Sequence, residues 1–185
     1  MSLLRVAAGP SVADRLHAQA ARLIVEKSAG DAVPAYNLTG TLYRSSSGWI
    51  LLQVPNALVR GVFAAMNEPG AELPPSGEDG RLNAHISVFR KEELDAIGGA
   101  DVVTERGKQF KYSIGRLMSV EPTTWSEMSR VWFLMVHSPE LQALRRSYGL
   151  SSLPNDGKYD FHVTVAVRRK GVLGRNDSRK GEGKG

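Results

Sequence analysis

The chain has 185 residues, 42% hydrophobic and 23% charged, the balance of one globular domain large enough to bury a core. It has no cysteine, which excludes disulfides, thiolate nucleophiles and cysteine-ligated zinc. Seven of the 24 basic residues but only two of the 19 acidic ones fall in 168–185, so the whole formal charge of +5 sits there and the body is neutral. A basic total therefore gives no reason to expect a nucleic-acid surface on the folded part. No apolar run approaches the roughly 20 residues of a membrane helix, and the apolar part of 1–10 is too short for a signal peptide. A cytoplasmic protein without membrane contact is expected.

Along the chain, Ser11 as N-cap and Asp14 in the first turn open a helix over 11–27. Strands follow at 39–44 and 49–54, joined by the turn Ser45-Ser46-Ser47-Gly48. Leu58, Val62, Phe63 and Met66 have helical spacing over 57–67. Three prolines and three glycines make 68–80 a loop. A first strand around His85 and a short helix over 91–97 come next. The second half predicts strand at 110–120 with a bend at Gly115, and strand at 131–136. A helix over 139–148 follows, with Pro139 at its start and Gly149 at its stop, then a loop at 151–158 and a strand around His162. The domain expectation is an N-terminal helical extension over 1–36, one domain over 37–168, and a disordered basic tail over 169–185.

Two stretches carry chemistry. Asn83-Ala84-His85-Ile86-Ser87-Val88-Phe89 and Asp160-Phe161-His162-Val163-Thr164-Val165-Ala166 both read His, apolar, hydroxyl, apolar within a strand. Strand side chains alternate between faces, so each strand offers an imidazole and a hydroxyl on one face and apolar residues on the other. Brought together, the strands would converge two histidines and two hydroxyls on one point, a site for a phosphate group with a base, an acid and two neutral donors. Of the four histidines, His17 and His137 lie outside this pattern and read as helix or surface residues. A lone His-x-Ser/Thr triplet is most simply a half-buried strand histidine; the repetition is what points to function. The expected fold is α+β, with two pseudo-symmetric β-α-β lobes around a central cleft and the His strands side by side at the centre of one sheet.

These motifs resemble those of the 2H phosphoesterase superfamily, which includes RNA-ligase-like and 2′,3′-cyclic phosphodiesterase proteins and is named for two His-x-Thr/Ser triplets. His85-Ile86-Ser87 and His162-Val163-Thr164 match them, with Ser87 where threonine is frequent. Gly48 to Pro55 looks like the opening strand, and Val131 to Val136 followed by Pro139 to Arg146 looks like the strand and helix of the second half. The resemblance implies a phosphoric diester hydrolase that uses no metal and no cofactor. His85 and His162 would be general base and acid, and Ser87 and Thr164 would hold the non-bridging oxygens. The implied partner is a nucleotide or short oligonucleotide: a 2′,3′-cyclic phosphate, a 2′-5′ linkage or a cyclic oligonucleotide signal. RNA processing and viral anti-defence are roles compatible with such substrates. No obligatory protein partner is expected.

Further substrate contacts are sought among aromatic residues. Phe89 shares by parity the face of His85 and Ser87 and is expected on the cleft floor. Tyr159 flanks the second motif and can stack on a base. Tyr43 and Tyr112 lie near strand ends, where the plainer reading is solvated surface, as it is for Arg44, Arg90 and Lys111. Phe161 points away from His162. The alternative function is a non-catalytic nucleotide- or RNA-end-binding module of the same fold. Metal binding is disfavoured because Asp160 is the only acidic residue close to the motifs on the face of His162.

Overall fold

The computed structural model describes Ala21, Ile24 and residues 36–75 and 81–171. The helix expected over 11–27 lies outside the described residues except for Ala21 and Ile24, which are helical and buried in the core. The expected tail lies outside them beyond Gly171, but its first residues are ordered. Arg169 belongs to the last strand, and the Lys170 amide donates to the Glu127 carbonyl at 2.8 Å.

Strands β1 (Tyr36–Arg44) and β2 (Ile50–Gln53) are followed by helix α1 (Asn56–Met66) and strand β3 (His85–Phe89). A short helix α2 (Lys91–Ala96) and a 3₁₀ turn (Ala100–Val102) lead to β4 (Gln109–Val120) and β5 (Met128–His137). Helix α3 (Pro139–Ser147) and β6 (His162–Arg169) complete the order. The six strands form one sheet in the order β3-β2-β1-β4-β5-β6, every pair antiparallel. The fold is α+β, built on this one antiparallel, nearly barrel-shaped sheet.

This order corrects the expectation that the His strands pair at the sheet's centre. β1 and β4 pair there, and β3 and β6 are the two edges. Each helix returns the chain antiparallel to the strand just left, so α1 leads from β2 to its neighbour β3 and α3 from β5 to its neighbour β6. The edges approach one another because the sheet curls, as twisted sheets do. Residue 72 bridges to Val167 through two backbone hydrogen bonds of 2.8 and 2.9 Å and covers part of the β6 edge.

Alternation explains which face is buried. Leu42, Leu52, Ile86, Val88, Ile114, Leu134, Val163 and Val165 point to the helical side and are at most 1% exposed. Helix α1 buries Leu58, Val59 and Val62 beneath them and contacts β6; α3 buries Leu141 and Leu144 and contacts β3 and β4. Each helix thus packs under a strand of the opposite half. Ser138 caps α3, accepting from the Leu141 amide at 3.2 Å and donating to the Lys111 carbonyl at 2.6 Å.

The junction of the halves is ionic. Arg145 is 0% exposed and donates to Glu93 at 2.7 and 3.0 Å, to the Val88 carbonyl at 2.6 Å, and to the carbonyls of Ser151 and Leu153 at 2.8 and 3.0 Å. Glu93 also accepts from the amides of Arg90 and Asn155 at 2.9 and 2.8 Å. Burial pushes the Glu93 carboxyl up, but Arg145 and the two amides outweigh it and hold the group below its ordinary 4.5.

Arg145→Ala should lower stability by about 3–5 kcal/mol, because it leaves Glu93 and three carbonyls without their donor in a buried place. Arg145→Lys should recover little, since an ammonium lacks the planar fork. Urea unfolding of the three proteins measures both. The sign of the Glu93 shift adds a pH dependence: its contribution is present above about pH 4.5 and is lost as pH falls through the lower folded value. The Arg145→Ala protein should lack that part of the acid sensitivity.

Gly40 makes a separate prediction. A Cβ there would lie 2.4 Å from the Gln53 carbonyl oxygen and 2.8 Å from the Leu52 side chain. Backbone cannot swing aside, so Gly40→Ala should cost about 1–3 kcal/mol in the same unfolding measurement.

Candidate active site

The face of the sheet opposite the helices carries the paired motifs. In β3, His85 and Ser87 are half-buried on this face while Ile86 and Val88 are 0% exposed on the other; in β6, His162 and Thr164 alternate with Val163 and Val165 in the same way. The alternation expected from the sequence therefore holds for all four residues. The two edges bring the imidazoles close enough that charge on His162 lowers the pKa of His85.

Both rings are held alike. The Nδ1 of His85 lies 2.7 Å from the Asn83 carbonyl, and the Nδ1 of His162 lies 2.9 Å from the Asp160 carbonyl, each two residues upstream. A carbonyl only accepts, so each Nδ1 carries the hydrogen and each Nε2 is left for proton exchange. The residues before β3 are pinned in turn. Asn56 donates to the Leu82 carbonyl at 2.6 Å and accepts from the Ala84 amide at 2.9 Å. Asn83 and the Tyr43 hydroxyl are hydrogen-bonded, with contacts of 2.9 and 3.2 Å. Beside the second motif, the Phe133 ring meets His162 edge to face with centroids 5.4 Å apart, and Phe133 stands opposite Thr164 in register.

The surroundings of His85 shift its titration. Burial lowers the pKa of His85 below its ordinary 6.5; the Asn83 carbonyl opposes this and His162 adds to it. Free of substrate, His85 thus favours the neutral form that accepts a proton. Burial also raises the Tyr43 hydroxyl, against a smaller lowering by Asn83.

The aromatic candidates divide. Tyr43 stands in register with Leu51, and Leu51 with Ser87, so Tyr43 shares the open face; through Asn83 it supports the carbonyl that holds His85. Tyr159 is 54% exposed in the loop entering β6. The expectation for Phe89 is corrected. Ile50 pairs with Phe89 but Leu51 with Ser87, so β3 has one extra residue at this point. The bulge reverses parity, and Phe89 is 0% exposed, edge-on to Tyr148 and beneath the Arg145 guanidinium. Tyr112 is also corrected: at 2% exposure it belongs to the core side with Ile114, across the sheet from the histidines.

Sequence reading missed the Asn83 and Asp160 carbonyls and Phe133. Any residue can offer a carbonyl, so only the shared two-residue offset before each histidine could have signalled the first pair. Phe133 reads as one more core residue of an apolar run until the register sets it beside His162.

Concavities of about 270 and 620 Å³ open on the surface of the described residues, and neither is lined by His85 or His162. The first lies at Thr39, Thr41, Gln53 and Asn56, the second around Lys111 and His137. Among the described residues no three His, Asp or Glu side chains are grouped to hold a metal ion, and no helix is long and apolar enough to cross a membrane. Asp160 meets His162 through its carbonyl.

No curated protein and no solved structure is a match to the chain. The family profile described as Swiss Army Knife, 2H phosphoesterase domain, matches residues 48–173, more than half of the chain and both His motifs. The chain belongs to the 2H phosphoesterase superfamily.

Proposed function

We propose that this protein is a metal-independent phosphodiesterase acting on a small nucleotide or oligonucleotide in the cytoplasm, with pseudo-symmetric halves contributing one His strand each. The observation that carries the proposal is the matched pair of imidazoles, each with Nδ1 on the carbonyl two residues upstream and each beside a hydroxyl on the same strand face. In this reading His85, favoured neutral, takes the proton from the attacking water or ribose hydroxyl. His162, protonated, gives one to the leaving oxygen as the phosphorus–oxygen bond breaks. Ser87 and Thr164 donate to the non-bridging oxygens as negative charge builds on them. Phosphodiester cleavage needs no redox partner, and the two histidines balance the protons of the step. The family supports phosphoester chemistry; the substrate class and the division of roles are our reading of the residues.

Cleavage of a 2′,3′-cyclic nucleotide, a 2′-5′ dinucleotide or a cyclic dinucleotide should persist in EDTA, read by chromatography of the products. Activity seen only with added divalent metal would remove the mechanism. With a substrate found, His85→Ala and His162→Ala should each lower kcat by about 10²–10⁴-fold with the fold retained. The double variant should be little worse than the worse single one, because the two groups act in one displacement. Ser87→Ala and Thr164→Ala should be milder.

The role given to His85 has its own check. A base must be unprotonated, and its pKa is depressed, so the rising acid limb of kcat/KM should lie below pH 6.5. A limb at or above pH 6.5 would instead leave His85 as the acid.

A further inference from the structure

The cleft of about 620 Å³ is large enough for a piece of a ligand, since small-molecule sites commonly span roughly 300–1,000 Å³. Its polar lining is Asn37, Thr39, Lys111, Ser113, His137 and Glu140, and the core-side residues Leu38 and Tyr112, with Pro139 at the start of α3, complete it. Strand register relates it to the histidine pair. His162 stands opposite Met135 on β5, and His137 is two residues further along the same strand, hence on the same face and roughly 7 Å from Met135. His137 pairs with Ser113, Ser113 with Asn37, and Lys111 with Thr39, so these side chains form one polar field continuing from His162 across β5, β4 and β1.

The charge in this field is placed by backbone. The Lys111 amide donates to the Glu140 carboxylate at 2.7 Å and its carbonyl accepts from Ser138 at 2.6 Å, fixing the point from which its side chain leaves the strand. Lys111 is exposed, and among the described residues its ammonium makes no ion pair. Glu140 also lines the cleft, but one of its oxygens is occupied by that amide and its charge lies in the first turn of α3, where the helix dipole favours it. The Ser113 hydroxyl donates to the His137 carbonyl at 3.4 Å. The other flank of His162 is apolar, with the Phe133 ring beside it and Met118, opposite Phe133 in register, 45% exposed.

We propose that the Lys111–His137 cleft is a second anion subsite that takes a phosphate of the substrate other than the one being cleaved. This rests on the phosphodiesterase reading of the His pair, and it narrows the substrate class to nucleotides carrying at least two phosphates. A lysine ammonium suits the task as a point charge on a flexible stem. The asymmetry of the two flanks then orients the ligand, with a base against Phe133 and the additional phosphate toward Lys111.

Calorimetric titration of the full chain with adenosine 2′-monophosphate and adenosine 2′,5′-bisphosphate tests this without requiring turnover. At low salt the bisphosphate should bind about tenfold more tightly, equivalent to about 1.4 kcal/mol, and the gap should narrow as salt rises. In Lys111→Ala, shown to be folded by circular dichroism, the two affinities should come within about twofold; Lys111→Arg should keep most of the gap. Equal affinities in the unaltered protein, including no binding of either ligand, overturn the subsite, as does a gap that survives Lys111→Ala. A gap without turnover of any phosphodiester would remove the catalytic reading and leave the subsite. Turnover without a gap would do the reverse.

Discussion

The arrangement of the site depends on one buried ion pair. Arg145 on α3 and Glu93 on α2 join the end of β3, through the Val88 carbonyl and the Arg90 amide, to the loop that feeds β6, through Ser151, Leu153 and Asn155. The strands bearing His85 and His162 are at opposite edges of the sheet and exchange no ladder hydrogen bonds with each other. Sheet curl alone fixes their separation only loosely, whereas a guanidinium with its donors committed to two carboxylate oxygens and three carbonyls fixes where one edge ends relative to where the other begins. A buried pair of this kind is poor evidence for raw stability, since apolar residues of the same volume can serve as well. Its contribution is geometric, because each donor has a defined acceptor and shifting either half breaks several at once.

The same pair explains the bulge in β3. The extra residue lies at Val88, whose carbonyl points to Arg145. By shifting parity after Ser87, the bulge turns Phe89 into the core, under the guanidinium and against Tyr148. The strand therefore presents His85 and Ser87 outward and then immediately anchors itself. Bulges beside active sites commonly re-aim a side chain or end pairing in this way.

The sequence carried the alternation of His85, Ser87, His162 and Thr164 because period-two patterning survives wherever a strand has one buried face. The same rule misplaced Phe89, since one inserted residue inverts every side chain after it and nothing in Ile86-Ser87-Val88-Phe89 marks the insertion. Tyr112 was misplaced differently: nearness to a strand end says little about face, whereas its parity with Ile114 would have put it in the core. The positions of the His strands in the sheet were not readable from local pattern at all. Two strand–helix–strand units fit parallel and antiparallel returns alike, and only the pairing of β1 with β4 pushes both His strands outward. Nothing in the sequence marks Arg145, since basic residues in the last turn of a helix are common for dipole reasons alone, and its burial is a property of the neighbours it meets.

Supporting both imidazoles from carbonyls has a chemical consequence. An aspartate on Nδ1 would hold each ring toward its charged form, whereas a neutral carbonyl fixes the tautomer with a weaker pull on the proton. That leaves burial as the largest influence on His85, and it depresses the pKa. The flanks then matter more than the holding groups. A dianionic ligand beside His85 would favour its protonated form, which cannot act as a base. In the proposed subsite, Lys111 would take up part of a ligand's charge at a distance from His85. In the proposed mechanism, the polar field across β5, β4 and β1 would keep binding charge away from His85, the ring that acts there as base.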